Sequence, residues 1–503
     1  MRPRDGVAAA RRLAKILGQA RRKGGCSLGR RAAAVKDIAE RARALHSDLC
    51  LGAALGLDPA VDAAAIRAVV DPSDDIVVRA VAGAPVATLL VFHDGMVDLG
   101  EVASLAENLA EDSAPPRGDV TETPTVRSAI DQILAGGVIV LRRGLPAWAI
   151  TLPASLDPPA PQEERVVRGP QVALTPDLEV NLALIRNFVQ RRDLRVEFRR
   201  VSEYSTSRLA IVYLAGKADP AVGEILRRRL DNVNHDTIYE VTMLKPTLAD
   251  DPFSPFVNVQ LTERVDLCTL GLLGGRHVLL VNGSADALVL PCTWPELMSS
   301  PEDRYLPRFI ADSNRVLRHL GAFLALTLES AFIAVTTVNQ ELLPTPLAYA
   351  IARSRVGVPL PPVAEVLLMA LVVEILREAT VRLPSVLSQT IAIVGALVLG
   401  QAVVQANLIS APVIVLVALV ALASFVVPQY EGAVIVRVLR FPAMLCAAVL
   451  GLYGLTLFFV AVLLHMSGLR SFGVPYLAPV APHRGAPPWN VIRAPPWLRR
   501  RMA

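Results

Sequence analysis

Five ionisable side chains stand in a segment that is otherwise apolar, EVLLMALVVEILREATVRLP at positions 365–384. They are Glu365, Glu374, Arg377, Glu378 and Arg382. An unpaired charge at the centre of a lipid bilayer is costly, so such groups have to be paired or to face a water-filled cavity. In a membrane helix either arrangement points to a functional site.

Helical spacing predicts that these charges compensate one another. At about 100° per residue, Glu374, Glu378 and Arg382 fall on one face of a helix, with Arg377 beside them. Glu378 and Arg382 have the favourable acid-before-base order at i, i+4, and Glu374 and Arg377 form an i, i+3 pair. Glu365 falls on the opposite face. We therefore predict a charge ladder at the membrane boundary or along a wet cavity.

Catalytic signatures are absent from the sequence. It contains no GxxxxGK(S/T) loop, no GxGxxG after a strand, no HExxH and no GxSxG. The neighbours His93 and Asp94 point in different directions on most backbones, so they do not predict an acid–base pair. The five cysteines form no CxxC pair, which favours free thiols in a reducing compartment. We predict a protein that is not an enzyme and that binds no cofactor or metal.

Composition divides the chain into two parts. Of its 503 residues, 53% are hydrophobic, and the mean hydropathy of +0.44 is typical of a protein with a membrane-embedded part. Charged residues are dense up to about Arg318 and sparse from there to about Ser467. The basic first fifty residues favour a solvated or membrane-surface cytoplasmic tail over a nucleic-acid-binding arm.

Short β-like runs alternate with helical spacing in the charged part, and a Pro-rich joint at 157–170 divides it. The run HVLLVNGSADALVLP (277–291) predicts a hairpin that turns at Asn282 and Gly283. We predict an α+β soluble region of two α/β subdomains, followed by an α-helical transmembrane domain. The predicted parts are a basic helical or poorly ordered segment (1–70), a first cytoplasmic subdomain (71–157), a second (165–310), the transmembrane domain (315–467) and a Pro/Arg-rich tail (468–503).

The number of membrane spans is four or five. The segments with the required length of roughly 20 apolar residues are 317–338, 386–406, 411–428 and 442–465. Segment 363–380 is long enough but highly charged. A cytoplasmic amino-terminal region and a basic tail favour an even number of spans. Arg437 and Arg440, between the last two segments, favour an odd one.

Two rows of side chains in segment 386–406 suggest helix contacts. A stripe of small residues allows close approach of helix backbones, and its members are Ser388, Ala392, Ala396 and Gly400. The neighbouring row carries the amides of Gln389, Gln401 and Gln405, which either bond to other helices or line a pore. Glu329, inside the first span, is a further candidate for a pore or cavity.

Nine stretches carry a resemblance to a known family. They are RVVRGP (165–170), NLALIR (181–186), RLAIVYLAG (208–216), SPFVNVQLTERVD (254–266), SPEDRY (300–305), LLPTPL (342–347), EILREATVRLP (374–384), IAIVGALVLGQAVVQANLIS (391–410) and LRSFGVPYLAP (469–479). From about Asp74 to Pro479 the chain resembles the A subunits of bacterial spore nutrient-germinant receptors, the GerA family. It departs from the family at Val265 and Glu329, where proline is usual.

The resemblance implies a multi-pass protein of the spore inner membrane with a cytoplasmic amino-terminal region. It implies a homo-oligomer that forms an ion channel, with membrane lipid, a transporter-like B subunit and a lipoprotein C subunit as partners and no nucleic acid. A paralogue tied to dipicolinate-channel genes and a non-conducting scaffold remain as alternatives. A secondary transporter is disfavoured because the sequence has no repeat and few spans.

Overall fold

The structure is a computed structural model that describes most of the chain. The described residues are 51, 53–56, 58–70, 73–111, 120–152, 157–200, 208–233, 237–382 and 400–482. They form two compact units. Unit 1 holds the described residues up to Arg165, with Pro170–Lys245 and Leu261–Leu290; unit 2 holds Val166–Gly169, Pro246–Gln260 and the described residues from Pro291 onward.

The first sheet of unit 1 has five strands in the order β1-β2-β4-β5-β3, and every pair is antiparallel. Its strands are β1 (Ile76–Ala80), β2 (Thr88–His93), β3 (Val120–Glu122), β4 (Gly137–Arg142) and β5 (Trp148–Thr151). The helices that accompany it are α1 (Pro59–Val70), α2 (Leu99–Glu111) and α3 (Val126–Ile133).

Strand β4 lies at the middle of this sheet and shows how its two faces are covered. Successive side chains of a strand point to opposite faces. Val138 and Val140 pack in a core with Leu105 of α2, whereas Ile139 packs in a second core with Ile130 of α3. Because helices cover both faces, all six residues of β4 are buried, and the strand is apolar from Gly137 to Leu141 and ends in the buried Arg142.

The second sheet has the order β6-β7-β9-β10-β8. Its strands are β6 (Leu194–Arg200), β7 (Arg208–Leu214), β8 (Gln260–Thr262), β9 (His277–Val281) and β10 (Ala287–Leu290), and its helices are α4 (Leu178–Phe188), α5 (Pro220–Asp231) and α6 (Val265–Leu273). Ile185 of α4 and Leu272 of α6 pack on Val212 and Leu280 of the sheet. The predicted hairpin is confirmed, because β9 and β10 pair antiparallel and Gly283 turns with a φ of 99°.

The TERVD stretch ties the Pro-rich joint to the second sheet. The carboxylate of Glu263 accepts hydrogen bonds from three backbone N–H groups, those of Gln162 (3.1 Å), Glu163 (2.6 Å) and Glu164 (2.7 Å). Arg264 is fully buried and donates to both carboxylate oxygens of Asp266 at 2.9 Å. Val265 begins α6, a position that suits proline, and it adds its side chain to the core.

A buried ion cluster joins the two sheets within unit 1. Asp75, just before β1, accepts a hydrogen bond from Arg186 Nε at 2.7 Å and from Ser73 Oγ at 2.6 Å, and it contacts His93 Nε2 at 2.8 Å. Burial alone raises the pKa of Asp75, but Arg186 and His93 outweigh it and hold that pKa well below its usual range. The cluster links α4 of the second sheet to the first sheet.

Unit 2 is mainly helical. Its helices are α7 (Arg308–Thr337), α8 (Thr345–Ser354), α9 (Pro362–Arg382), α10 (Gly400–Gln405), α11 (Ala411–Ser424) and α12 (Tyr430–Gly468). Among the described helices, α7 and α12 are long and apolar enough to cross a membrane, and α11 is a shorter apolar helix. Most of the predicted span 386–406 lies outside the described residues, so the count of four or five spans stays a prediction.

Helix α12 consists of two antiparallel legs. Gly451 has a φ of 61° and a ψ of −144°, which interrupts the helix. In a straight helix Cys446 and Gly454 would be about 12 Å apart, yet a Cβ placed on Gly454 would overlap the carbonyl oxygen of Cys446. The chain therefore turns back at Gly451, and we call 430–450 the first leg and 452–468 the second leg.

The two ends of α12 agree with this reversal. Near its start, a Cβ on Gly432 would lie 3.9 Å from Leu297 Cβ. Near its end, the ring of His465 is 5.7 Å from that of Phe256, which lies 6.2 Å from the ring of Trp294. A straight helix of 39 residues is about 58 Å long, so it could not bring both ends to the same short segment.

Asn339, which follows α7, holds the reversal. Its Oδ1 accepts a hydrogen bond from the backbone N–H of Leu452 at 3.0 Å, a donor that the helix break leaves without its usual partner. The expectation that Arg437 and Arg440 lie in a connection between spans was wrong, because both are inside the first leg. The helix continues through them since acidic side chains of other helices face them.

Candidate functional site

Glu374 of α9 is the centre of a cluster of charges. Arg440 of α12 donates through Nη2 to Glu374 Oε1 at 2.8 Å. Two more guanidinium groups are within ion-pair distance of the same carboxylate, Arg437 Nη1 at 3.5 Å and Arg377 Nη1 at 3.7 Å. Arg440 also donates to the backbone oxygen of Ala370 at 3.3 Å. Three guanidinium groups therefore converge on one half-buried carboxylate.

Glu329 of α7 joins the cluster through Arg440. Its Oε1 lies 3.6 Å from Arg440 Nη1, and its side chain is 1% exposed. Within the described part of the chain, neither carboxylate oxygen of Glu329 has a hydrogen-bond partner, and the buried hydroxyl of Ser330 has none either. A buried polar group without such a partner is costly. Arg440 thus lies between two carboxylates and hydrogen-bonds to one of them.

Aromatic rings cover the guanidinium groups, which stabilises charge away from water. They pair as Arg377 over Phe425 (5.3 Å), Arg437 over Tyr430 (5.7 Å) and Arg440 over Phe441 (5.2 Å). The two carboxylates of Glu329 and Glu374 face three guanidinium groups, so this set carries a formal excess of one positive charge. Cations and acids from α7, α9 and α12 are therefore concentrated in one apolar region.

Glu365 belongs to a separate and fully satisfied site. It is buried, and it accepts hydrogen bonds from Arg355 Nε at 3.1 Å, from Ser410 N–H at 2.9 Å and from Ser410 Oγ at 2.7 Å. Ser410 is the residue before α11, so this carboxylate also faces the positive end of that helix. The site holds the starts of α9 and α11 together.

Of the predicted charge ladder, Glu374 and Arg377 contact each other. Glu378 is exposed on α9, and the side chain of Arg382 lies outside the described residues. The function of the ladder stays a prediction.

The small-residue stripe and the amide row are described only at their ends. Gly400 begins α10, and Gln401 and Gln405 are exposed on that helix. The other members, Ser388, Gln389, Ala392 and Ala396, lie outside the described residues. Glu329, predicted as a pore or cavity residue, lies 3.6 Å from Arg440 Nη1, and its role stays a prediction.

Sequence reasoning missed Arg437 and Arg440 as partners of Glu374. Both were assigned to a connection, although their spacing of three residues places them on one helix face. Counting acids and bases across all apolar segments, rather than within one, would have shown that Arg437 and Arg440 balance the charges of Glu374 and Glu329, but not which groups pair.

The cluster can exchange one ion pair for another, because Arg440 lies near the carboxylates of both Glu374 and Glu329. Arginine stays protonated at any physiological pH, so among these groups only the carboxylates can gain or lose a proton. In the described part of the chain, no group of three or more His, Cys, Asp or Glu side chains could hold a metal ion.

The protein combines an α/β unit with a helical unit that holds buried ion pairs. Its class is therefore a two-part protein with helices suited to a membrane. The family model described as the Bacillus/Clostridium GerA spore germination protein matches residues 64–502. This chain belongs to the GerA family of spore germination proteins, and the resemblance predicted from its motifs is confirmed.

Relatives from Bacillus subtilis are similar over much of their length. "Spore germination protein A1" is 40% identical over 364 residues, which are 72% of this chain and 76% of that protein. "Spore germination protein KA" is 37% identical over 337 residues, 67% of this chain and 62% of that protein. A crystal structure of the N-terminal domain of the A subunit of the Bacillus megaterium spore germinant receptor GerK3 is 20% identical, with a TM-score of 0.37, and covers 48% of this chain and 98% of that domain.

Proposed function

We propose that this GerA-family protein is the A-type subunit of a nutrient-germinant receptor and that its helical unit forms an ion path with further copies of itself. The path opens when the receptor senses a germinant. The amino-terminal region lies in the cytoplasm and unit 2 spans the spore inner membrane several times. A transporter-like B subunit and a lipoprotein C subunit complete the receptor, as the family resemblance implies.

The observation that carries this proposal is the cluster of Glu329, Glu374 and Arg440 among helices suited to a membrane. Charges in such a place are costly, and they are retained in membrane proteins where ions or protons pass or where a conformation is switched. Arg440 has a firm partner in Glu374 and a loose one in Glu329. A small shift of α7 against α12 would exchange the two, which supplies two states for a gate.

Ion flux in liposomes tests the proposal. The purified full-length chain, reconstituted alone and then with its B and C subunits, should release a trapped monovalent ion faster than protein-free vesicles. Arg440→Gln should change the flux strongly, because it removes the group shared by both carboxylates. Arg470→Gln is the matched control, because Arg470 is an exposed arginine outside the cluster, and it should behave like the unchanged protein.

Two outcomes would contradict the proposal. Flux equal to that of protein-free vesicles, with and without the partner subunits, would leave a non-conducting scaffold. Flux that Arg440→Gln and Arg470→Gln affect equally would remove the cluster from the ion path.

Assembly has its own test at Gly400, the last member of the small-residue stripe. Gly400→Leu should reduce the oligomer on a native gel while leaving membrane insertion intact, because a bulky side chain prevents close helix approach. An unchanged oligomer would place the contact between copies elsewhere.

A further inference from the structure

One face of α7 is exposed and largely apolar along the first half of the helix. Its main row has alternating spacings of four and three, and its exposed members are Phe309, Ser313, Val316, Leu320 and Phe323. At about 100° per residue, this row lies within an arc of about 80°. Beside it runs a second exposed row with a spacing of seven, made of Ile310, Leu317 and Leu324. We call the two rows together the α7 seam.

The seam ends where α7 enters the core of unit 2. None of the residues from 325 to 337, all of which the structure describes, is exposed. In that stretch Ile333 packs in a core with Ala370 of α9, Val413 of α11 and Met444 of α12. The second half of α7 is therefore covered by helices of its own chain, whereas one face of the first half is open.

Lipid alone cannot cover the whole seam. A bilayer core of about 30 Å takes about 20 helical residues, and counted back from Thr337, where α7 ends, it begins near Arg318. Phe309 lies about 13 Å farther out along the helix, whereas the headgroup layer of one leaflet adds about 5–7 Å. The ion pair of Arg308 with Asp312 also lies on this outer stretch. Phe309, which is 84% exposed, therefore extends beyond the lipid.

The spacing of the seam indicates what covers it. Apolar residues that alternate between steps of four and three form the contact by which helices pack side by side in a coiled coil. A two-stranded coiled coil uses two such positions in every seven, and the second row of the seam supplies a third. Three positions in seven are typical of a helix in a bundle, where it has more than one neighbour. The seam therefore fits other α-helices.

We propose that the α7 helices of neighbouring copies of this chain pack against one another along the seam. Copies that share one membrane and one rotation axis present the same helix in the same direction, so one seam can meet the next. This inference rests on the homo-oligomer of the proposed function and names a surface that holds it together. Phe309 is then covered outside the lipid, and Leu320 is covered within it.

Cross-linking of inserted cysteines tests the seam in the full-length chain. Val316→Cys and Leu320→Cys lie in the seam, and Asn314→Cys is the matched control at a similar depth, where the side chain is half-buried. Position 314 lies about 160° around the helix from position 316. A short bis-maleimide is added to membranes, and peptide mass spectrometry identifies links between inserted cysteines of two copies. The yield should be several-fold higher at both seam positions than at the control.

Truncation at the outer end of the seam tests its contribution to assembly. Phe309→Ala removes a ring that the single chain leaves exposed, so it should weaken the oligomer without unfolding the chain. Light scattering in detergent should show half-dissociation at a roughly tenfold higher protein concentration, as expected for loss of one well-packed interface side chain. Phe253→Ala is the control, because Phe253 is 96% exposed in unit 2 outside the seam, and it should leave the oligomer unchanged.

The other outcomes overturn the inference in distinguishable ways. Equal yields at positions 314 and 316 in an oligomeric protein would mean random collision, so the seam would fall while the homo-oligomer stands. No links at either seam position, with Phe309→Ala silent, would leave lipid as the cover. If a water-soluble maleimide could not label Val316→Cys in the dissociated monomer, another segment of the same chain would cover α7. A chain that is monomeric in membranes and in detergent would overturn the proposed homo-oligomer itself.

Discussion

The two units bury acidic side chains in opposite ways. The carboxylate of Asp75 in unit 1 has three hydrogen-bonding partners within 2.8 Å. The carboxylate of Glu329 in unit 2 has none among the described residues, and Arg440 lies 3.6 Å away. Yet both side chains are at most 1% exposed.

This difference bears on how firmly each buried carboxylate fixes the elements around it. A buried ion whose hydrogen bonds are all made fixes one arrangement of its neighbours. A buried carboxylate that lacks donors destabilises the arrangement it is in, so another state of the same helices can compete with it. The cluster of unit 1 therefore joins two sheets, while the cluster of unit 2 is the one that the proposed gate would use.

The largest effect is expected at Asp75. Asp75→Ala leaves Arg186 buried without its carboxylate, so the free energy of unfolding should fall by about 3–5 kcal/mol. Urea unfolding measures this in the amino-terminal half, residues 1–307, which we expect to be soluble because both sheets bury their cores without lipid. Asp131→Ala, which breaks an exposed pair with Arg192, should cost about 1 kcal/mol at most.

The same cluster has a pH dependence of known sign. Because the folded pKa of Asp75 lies below its ordinary value of 3.8, its contribution is complete above pH 3.8 and is lost as the pH falls further. If Asp75→Ala and Asp131→Ala lowered the free energy of unfolding equally at neutral pH, the cluster around Asp75 would not be what holds the two sheets together.

A smaller effect is expected at Arg440. Arg440→Met removes its hydrogen bond to Glu374, and loss of a bond to a charged group costs about 1.5–3 kcal/mol. Thermal unfolding of the full chain in detergent should show this loss. Glu329→Gln should be much milder, since Glu329 gives up no hydrogen bond to a described residue. If Glu329→Gln destabilised the protein as much as Arg440→Met, Glu329 would stabilise unit 2 as a hydrogen-bonded carboxylate does. The contrast with Asp75 of unit 1 would then be wrong.

Gly451 is where α12 reverses, and it lies close to Val338 and Asn339. A side chain at this position has a positive φ and would lie 2.9 Å from Val338 Cγ1 and overlap Asn339 Oδ1. Gly451→Ala should therefore cost about 1–3 kcal/mol of backbone strain. Gly468→Ala is the control, because nothing lies within 4 Å of its added Cβ. Equal melting temperatures of the two variants would argue against the reversal.

The smallest predicted effect is a change in how the stability of unit 1 depends on pH. It arises from Glu164 and His277, whose pKa values are shifted mainly by burial. Burial raises the pKa of Glu164 to about 7; a hydrogen bond from Thr262 opposes the shift and Glu263 adds to it. The folded state thus holds a proton between pH 4.5 and 7 that the unfolded state has lost, so stability falls as pH rises. Burial and Arg227 lower the pKa of His277 to about 4, which makes stability rise with pH between 4 and 6.5.

These two slopes oppose each other in the unchanged protein. Glu164→Gln should make the melting temperature of the amino-terminal half rise more steeply between pH 4.5 and 6.5. His277→Gln should have the reverse effect over the same range. Parallel profiles for both variants would show that neither group titrates as stated.

The elements that sequence could predict are those set by local pattern. The hairpin at Asn282 and Gly283 followed from its turn residues, and the pair Glu374 and Arg377 followed from helical spacing. The partners of Glu374 did not, because Arg437 and Arg440 lie more than sixty positions away on a helix of another part of the chain. The reversal at Gly451 could not be predicted either, because one glycine in an apolar run does not predict a turn.

The ion cluster that joins the two sheets of unit 1 could not be predicted from the sequence either. His93 and Asp94 were weighed as neighbours in sequence, but the partner of His93 is Asp75, and the cluster is completed by Arg186 from the second sheet. Such contacts depend on how sheets pack, which periodicity does not encode.

The segment that follows α12 completes unit 2. Ser471 Oγ donates to Asn258 O at 2.7 Å, and the backbone N–H of Phe472 donates to Asp250 at 2.8 Å, across sequence separations of 213 and 222 residues. At a synthesis rate of roughly 5–20 residues per second, the segment around Asn258 waits about 10–40 s for these partners. Until Ser471 and Phe472 have been synthesised, Asn258 O and the carboxylate of Asp250 lack these donors, so unit 2 cannot complete these contacts during most of translation.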